Sequence, residues 1–315
     1  MRVPTHLRIL PGLRRQPSVI GHDWRMAEGK TIERVGVIGC GLMGSGIAEV
    51  CARAGLDVLV REASAEAAEA GRARLITSFD RGVSANKMTE EDRDEAMARL
   101  SFTTDIGDLS DRDLVVEAII EDEDMKVGLF RDLDKVLTNA DAILASNTSS
   151  IPIMKLGTAT ARPEQVIGIH FFNPVPVLRL VELVESLMTS KETSLRAEVF
   201  AEGMLSKRVI RSQDRAGFVV NALLIPYLLS AIRMMESGFA SADDIDIGMV
   251  EGCSHPMGPL RLTDLIGLDT TLAVAESLYE EFKEPLYAPP PVLSRMVDAG
   301  LLGRKSGRGF YDYRR

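Results

Sequence analysis

The sequence predicts an α/β fold: a mostly parallel sheet with an inserted helical hairpin, followed by an all-helical C-terminal domain. Three observations carry this reading. Short β-branched runs alternate with stretches of helical period from Arg34 to about Ser212, an alternation that requires crossover connections and therefore a mostly parallel sheet. A glycine-rich turn joins the first run to the first helical stretch. After Ser212 the strand signals stop, and apolar residues recur only at helical spacing. A chain of 315 residues is long enough for about two domains, and we divide it into a leader (1–30), a sheet domain (31–213) and a helical domain (214–315).

Composition narrows the function. The formal net charge is −9, yet the first 25 residues carry five arginines (2, 8, 14, 15 and 25) against Asp23, which leaves the remainder at −13. A body that acidic repels phosphate backbones, so sequence-independent nucleic-acid binding is excluded. Four histidines, two of them (His6, His22) in the leader, provide no metal cluster, so no metal is expected. Three cysteines without a C-x-x-C pair suit a reducing compartment, and we expect the cytoplasm. The leader lacks the apolar core of a secretory signal and is either a flexible or targeting segment or an early start; because Met26 directly precedes a sequence that begins as a domain does, initiation there is the favoured expectation. The apolar stretch 218–235 approaches the roughly 20 residues of a membrane span. Asn221, Pro226 and Arg233 interrupt it, so a buried helix is expected and no membrane partner.

The first run, 35–38, leads into Gly39-Cys40-Gly41-Leu42-Met43-Gly44 and then a helical stretch to Ala54. Each glycine has a separate job: Gly39 makes the tight turn, Gly41 lets backbone approach a pyrophosphate, and Gly44 lets helix pack on strand. The N-terminus of that helix offers unpaired N–H groups and a positive dipole end to phosphates. The second run, 58–60, ends near Glu62, 23 residues after Gly39, where a carboxylate accepts hydrogen bonds from a ribose and repels a 2′-phosphate. A Rossmann-type dinucleotide site specific for NAD follows; the plainer reading makes Glu62 a solvated strand end. Arg61 could hold a 2′-phosphate instead, but strand alternation points it to the opposite face.

Residues 63–100 are too long for one crossover and read as the inserted hairpin, with Thr89-Glu90-Glu91-Asp92 starting its second helix. Runs at 114–120, 142–145 and 166–172 continue the sheet. Ser146-Asn147-Thr148-Ser149-Ser150 follows the run 142–145, as a helix cap, a substrate loop or both. His170 lies near the C-terminal end of its run, the side on which open α/β sheets bind ligands. Taken alone it reads first as a satisfied structural histidine. Glu182, however, sits inside the apolar run 178–184, where an unpaired carboxylate is costly. An imidazole answers that need, with Glu182 fixing its tautomer and stabilising the imidazolium. A helix near 193–205 completes the first half. Helices are then expected over 218–235, 241–248 (Ser241 as cap), 272–282 and 291–299, while His255-Pro256-Met257-Gly258-Pro259 reads as a loop lining the substrate pocket. Asn221 makes either a structural hydrogen bond or a substrate contact.

Taken together these motifs resemble the 3-hydroxyacyl-CoA dehydrogenase family, particularly its short 3-hydroxybutyryl-CoA dehydrogenase members, over about 33–313. Beside the glycine loop and its continuation Ser45-Gly46-Ile47-Ala48, the resemblance rests on Val116-Glu117-Ala118-Ile119-Ile120-Glu121, the serine loop, and His170-Phe171-Phe172-Asn173-Pro174-Val175-Pro176. Gly217-Phe218-Val219-Val220-Asn221, Pro256-Met257-Gly258-Pro259, Gly267-Leu268-Asp269 and Gly303-Arg304-Lys305-Ser306-Gly307-Arg308-Gly309-Phe310-Tyr311 extend it. The resemblance implies reversible NAD-dependent oxidation of an L-3-hydroxyacyl-CoA, with His170 as base and Glu182 as its partner. It implies that Ser149 and Asn221 bind the substrate's reacting oxygen or the base. It further implies that Glu121, Lys126, Ser149, Asn173 and the loop residues Leu42 and Met43 join Glu62 at NAD, that Ser78 and Lys87 meet CoA, and that two copies pair through the helical domain. Without it, Glu121 and Lys126 read as a surface pair. The leader, Cys40 where alanine is common, and the lysine-poor segment 81–87 depart from the family. The competing readings are a dehydrogenase of a free hydroxy acid or sugar acid on the same architecture, and a cofactor-binding protein without turnover.

Overall fold

A computed structural model describes residues 31–314; the leader and the expectation about Met26 lie outside the described residues. In chain order the elements are β1 (Arg34–Ile38), α1 (Leu42–Arg53), β2 (Asp57–Arg61), α2 (Ala65–Ser84), α3 (Glu90–Ala98), β3 (Leu100–Thr103), β4 (Leu114–Glu117), α4 (Glu123–Val136), β5 (Ile143–Ser146), α5 (Ile153–Thr158), β6 (Val166–Phe171), β7 (Leu180–Glu185), α6 (Lys191–Glu198) and β8 (Arg208–Gln213). Helices α7 (Val220–Glu236), α8 (Ala242–Cys253), α9 (Pro259–Ile266), α10 (Leu268–Phe282) and α11 (Pro291–Asp298) follow.

The strands form one sheet in the order β3-β2-β1-β4-β5-β6-β7-β8. Neighbours from β3 to β6 run parallel; β7 is antiparallel to β6, and β8 parallel to β7. Alternate residues feed opposite faces: Leu114 and Val116 join a core with Ile47, Leu75 and Phe79, while Val115 joins another with Phe130, Leu133 and Leu144. A third core, from Ile225, Leu228, Leu229, Ile232, Val274, Leu278 and Leu293, belongs to the helices after β8.

The predicted hairpin is α2 and α3. Ser64 caps α2 by accepting from Ala67 N–H, and Thr89 with Asp92 forms a reciprocal capping box on α3. Three elements escaped the sequence reading. Strands β3 and β8 are polar edge strands, and α9 begins at Gly258-Pro259 in the segment read as loop; Asp246, from α8, accepts the N–H groups of Leu260 and Arg261 and so caps it. The run 114–120 stops at Glu117, whose carboxylate folds back onto Ile119 N–H. Instead of one helix over 193–205, α6 passes into a π-helical turn over Val199–Met204. Helix α7 is buried on one side only, for Leu223 is 73% exposed. Among the described residues no helix is long and apolar enough to cross a membrane.

Candidate active site

The first turn of the sheet is shaped by what its glycines allow. Gly39 has φ +86°, and a Cβ there would lie 2.7 Å from Ala118 O; a Cβ on Gly44 would lie 1.7 Å from Gly39 O. Gly41 has nothing within 4 Å of its missing Cβ, so its outer face is open to a ligand. The first turn of α1 contains no acidic residue, leaving the positive end of its dipole to an incoming anion. Leu42 is exposed and Met43 half-buried at this end of the helix. These features suit a dinucleotide pyrophosphate.

Charged side chains brace the same turn. Glu62 accepts the N–H of Cys40, and Arg74 of α2 donates to the Cys40 carbonyl at 3.0 Å. Glu62 therefore lies against the glycine loop at the end of β2, neither remote from it nor freely solvated. Arg61 Nε is buried with no hydrogen-bond partner among the described residues. The Cys40 thiol packs on Gly71, and burial, reinforced by Glu62, pushes it up to about 12, so it stays an unreactive thiol at neutral pH.

His170 and Glu182 face each other in the antiparallel register of β6 and β7. The His170 Nδ1 and Glu182 Oε2 atoms are 2.7 Å apart, with Glu182 wholly buried and His170 only 6% exposed. The other Glu182 oxygen accepts the N–H groups of Val219 (3.1 Å) and Val220 (2.9 Å) at the start of α7. A carboxylate held this way accepts from Nδ1–H and leaves Nε2 with its lone pair. The rings of Phe172 and Phe218 flank the imidazole at 4.6 and 5.5 Å. Asn221 comes next on the first turn of α7, and its amide makes no hydrogen bond to the described residues. The structural bond considered from sequence is therefore not made.

The serine loop runs beside this pair, tied to β6 by Phe171 N–H donating to Asn147 Oδ1 at 2.9 Å. The hydroxyls of Ser146, Thr148 and Ser150 donate to Glu117, Glu121 and Glu121 respectively, at 2.5, 2.5 and 2.9 Å. The Ser149 hydroxyl makes no hydrogen bond to the described residues. Lys126 corrects the surface-pair reading: it is 1% exposed, with Nζ 3.1 Å from Glu117 and 2.6 Å from Glu121. Burial raises the Glu121 carboxyl, but Lys126 together with the hydrogen bonds from Thr148 and Ser149 holds the group below its usual value.

The remaining candidates are scattered. The Ser78 hydroxyl is engaged with Glu49 (2.5 Å), a buried carboxylate that also pairs with Arg53 at 3.4 Å. Lys87, between α2 and α3, borders a cavity of about 210 Å³ with Arg53 and Arg99. Asn173 is exposed on the loop after β6. That loop is clamped by a residue sequence reasoning missed, Lys207, whose buried ammonium donates to the carbonyls of Val175 (2.5 Å) and Leu178 (2.8 Å). His255 meets Tyr227 Oη through Nδ1 at 3.1 Å, away from Glu182. A cavity of about 1030 Å³ lies between the loop after β5 and α10, lined by Ser150, Met154, Asp214, Arg215, Ser277 and Glu281 among others. Neither the glycine loop nor His170 borders it, so volume alone points away from the residues able to do chemistry.

Comparison with known proteins agrees with this geometry. Residues 34–215 match the model of the 3-hydroxyacyl-CoA dehydrogenase NAD binding domain, and residues 217–313 that of the 3-hydroxyacyl-CoA dehydrogenase C-terminal domain. A 3-hydroxybutyryl-CoA dehydrogenase of Mycobacterium tuberculosis is 61% identical over 282 residues, covering 90% of this chain and 99% of that protein. The crystal structure of M. tuberculosis FadB2 superposes with a TM-score of 0.89 at 60% identity, covering 90% of this chain and 100% of that one. That of (S)-3-hydroxybutyryl-CoA dehydrogenase from Ralstonia eutropha gives a TM-score of 0.86 at 45% identity, over 90% of this chain and 100% of that one.

Proposed function

The chain belongs to the 3-hydroxyacyl-CoA dehydrogenase family, and we propose that it interconverts an L-3-hydroxyacyl-CoA and the 3-ketoacyl-CoA, a short acyl chain such as 3-hydroxybutyryl being the best-supported substrate. The observation that carries the proposal is the His170–Glu182 pair, 2.7 Å apart at the ligand-binding end of the sheet. NAD, when bound, supplies the hydride acceptor for the carbon that bears the hydroxyl. Nε2 of His170 takes the hydroxyl proton, and the charge this creates is balanced by Glu182 through Nδ1–H. Two N–H groups at the start of α7 hold the second oxygen of Glu182 and so fix the carboxylate's orientation against His170. In the reverse direction the imidazolium returns the proton to the ketone oxygen. Ser149 and Asn221, whose side-chain polar groups are unengaged among the described residues, bind that oxygen.

The open face of Gly41 and the N-terminus of α1, with Leu42 and Met43, hold the pyrophosphate. Glu62 excludes a 2′-phosphate, and Ser149 and Asn173 face the nicotinamide end. With the Ser78 hydroxyl turned to Glu49, Lys87 becomes the better candidate for a CoA phosphate. Residues 31–213 form the NAD-binding part and 214–315 the part that completes the substrate site and pairs two copies, a role supported by the exposed apolar side chains Leu223, Ile247 and Leu265. We place the enzyme in the cytoplasm, where its free cysteines stay reduced.

The test is NADH oxidation by purified protein with acetoacetyl-CoA, beside free acetoacetate and beside NADPH. Turnover confined to the thioester and NADH is expected. Turnover of the free acid instead would favour a hydroxy-acid dehydrogenase, and NADH binding without turnover would favour a non-catalytic role.

A further inference from the structure

Beneath the serine loop lies a closed ring of hydrogen bonds that the mechanism above does not use. It starts at Thr148, whose N–H donates to Ser146 Oγ at 3.1 Å, and Ser146 Oγ in turn donates to Glu117 Oε2 at 2.5 Å. The other Glu117 oxygen accepts Ile119 N–H at 2.8 Å and faces Lys126 Nζ at 3.1 Å. Lys126 donates on to Glu121 Oε2 at 2.6 Å, and Glu121 Oε1 accepts from Thr148 Oγ1 (2.5 Å), Ser149 N–H (2.9 Å) and Ser150 N–H (3.1 Å), which closes the ring. Glu117 has no exposed surface and Lys126 has 1%. Glu117 therefore meets no cofactor or substrate without rearrangement, and its influence must pass through the loop.

The ring also sorts the loop's hydroxyls. Those of Ser146, Thr148 and Ser150 are turned inward onto carboxylates, while that of Ser149 is left over. We propose that Glu117 is a positioning residue for Ser149: braced by Lys126, it anchors the loop through Ser146 and so aims the one unengaged hydroxyl at the reacting oxygen. This rests on the dehydrogenase reading above. A buried carboxylate without its ammonium is costly, so the pair behaves as one unit and the loop it holds has one conformation. Misplacing a substrate-orienting group by an ångström is enough to cost orders of magnitude in rate.

The experiment is a double-mutant cycle. Glu117→Gln and Ser149→Ala are made singly and together, with thermal unfolding to establish folding, NADH titration by fluorescence, and kcat and KM for acetoacetyl-CoA. Ser146→Ala, which removes only the hydroxyl link, carries the test if Glu117→Gln does not fold. The expected result is a fall in kcat of about 10- to 100-fold for Glu117→Gln, with NADH affinity within about threefold of wild type. In the Ser149→Ala background the same substitution should change kcat by less than about twofold, because the group it aims is gone. An equal fall in both backgrounds, a parallel loss of NADH affinity, or an unaffected kcat in Ser149→Ala overturns the proposal while leaving the dehydrogenase intact. No turnover by the wild-type protein overturns the functional reading itself, and the proposal with it.

Discussion

Two ionisable side chains in apolar strands carry the chemistry proposed for this chain. Each was visible in the sequence because it violates its surroundings: His170 within Val-Ile-Gly-Ile-His-Phe, and Glu182 within Leu-Val-Glu-Leu-Val. Their partnership was legible because a buried carboxylate must find a donor, and the register of β6 and β7 supplies one. Lys126 and Lys207 carried no such mark. They sit on helix and loop, where a lysine ordinarily points to water, and their partners lie on other segments: Glu117 of β4 for Lys126, and carbonyls of the loop after β6 for Lys207. The Ser78–Glu49 bond was hidden as well, since nothing near Ser78 in sequence marks Glu49 as buried. At this scale we predict that Glu182→Gln binds NADH as wild type does but loses activity by ~10²- to 10⁴-fold, since a neutral amide cannot balance an imidazolium. Fluorescence titration beside steady-state rates checks this, and a large drop in cofactor affinity would assign Glu182 a different role.

Among the elements, the glycine turn separates folding from function within six residues. A Cβ on Gly44 would collide with Gly39 O at 1.7 Å, whereas a Cβ on Gly41 meets nothing within 4 Å at an ordinary φ of −67°. Gly41→Ala should therefore melt as wild type does yet bind NADH about tenfold more weakly, near 1.4 kcal/mol. Gly44→Ala should lower the melting temperature. Calorimetry with cofactor titration distinguishes the two, and an unchanged NADH affinity in Gly41→Ala would remove the pyrophosphate from this turn. The strands that sequence found are those with continuous β-branched runs in the interior of the sheet. Those it missed, β3 and β8, are edges whose charged and hydroxylic side chains reach solvent. Helix α9 was hidden because its start signal is Asp246, 13 residues before Pro259, and caps only once α8 folds back. The hairpin, by contrast, announced itself through a local capping box.

Across the whole molecule, the site is completed where the sheet meets the helices. Asp214 caps α5, Glu281 of α10 accepts the N–H of Ala216 and pairs with Arg215, and Ser277 donates to Ser150 O at 3.0 Å. With Glu182 held by the first N–H groups of α7, the His170–Glu182 pair, the serine loop and Asn221 are referenced to one junction. The change from alternating to purely helical pattern was readable near Ser212, but these contacts were not, since they join residues 37 to 127 positions apart. If the helical part pairs two copies, sedimentation at micromolar concentration will give the mass of two chains; a single-chain mass would refute the pairing. The central claim, that His170 moves the proton, is met most directly by stopped-flow mixing of His170→Gln carrying bound NADH with acetoacetyl-CoA. The account predicts intact NADH binding and oxidation slowed by ~10²- to 10⁴-fold. Oxidation at the wild-type rate would contradict it.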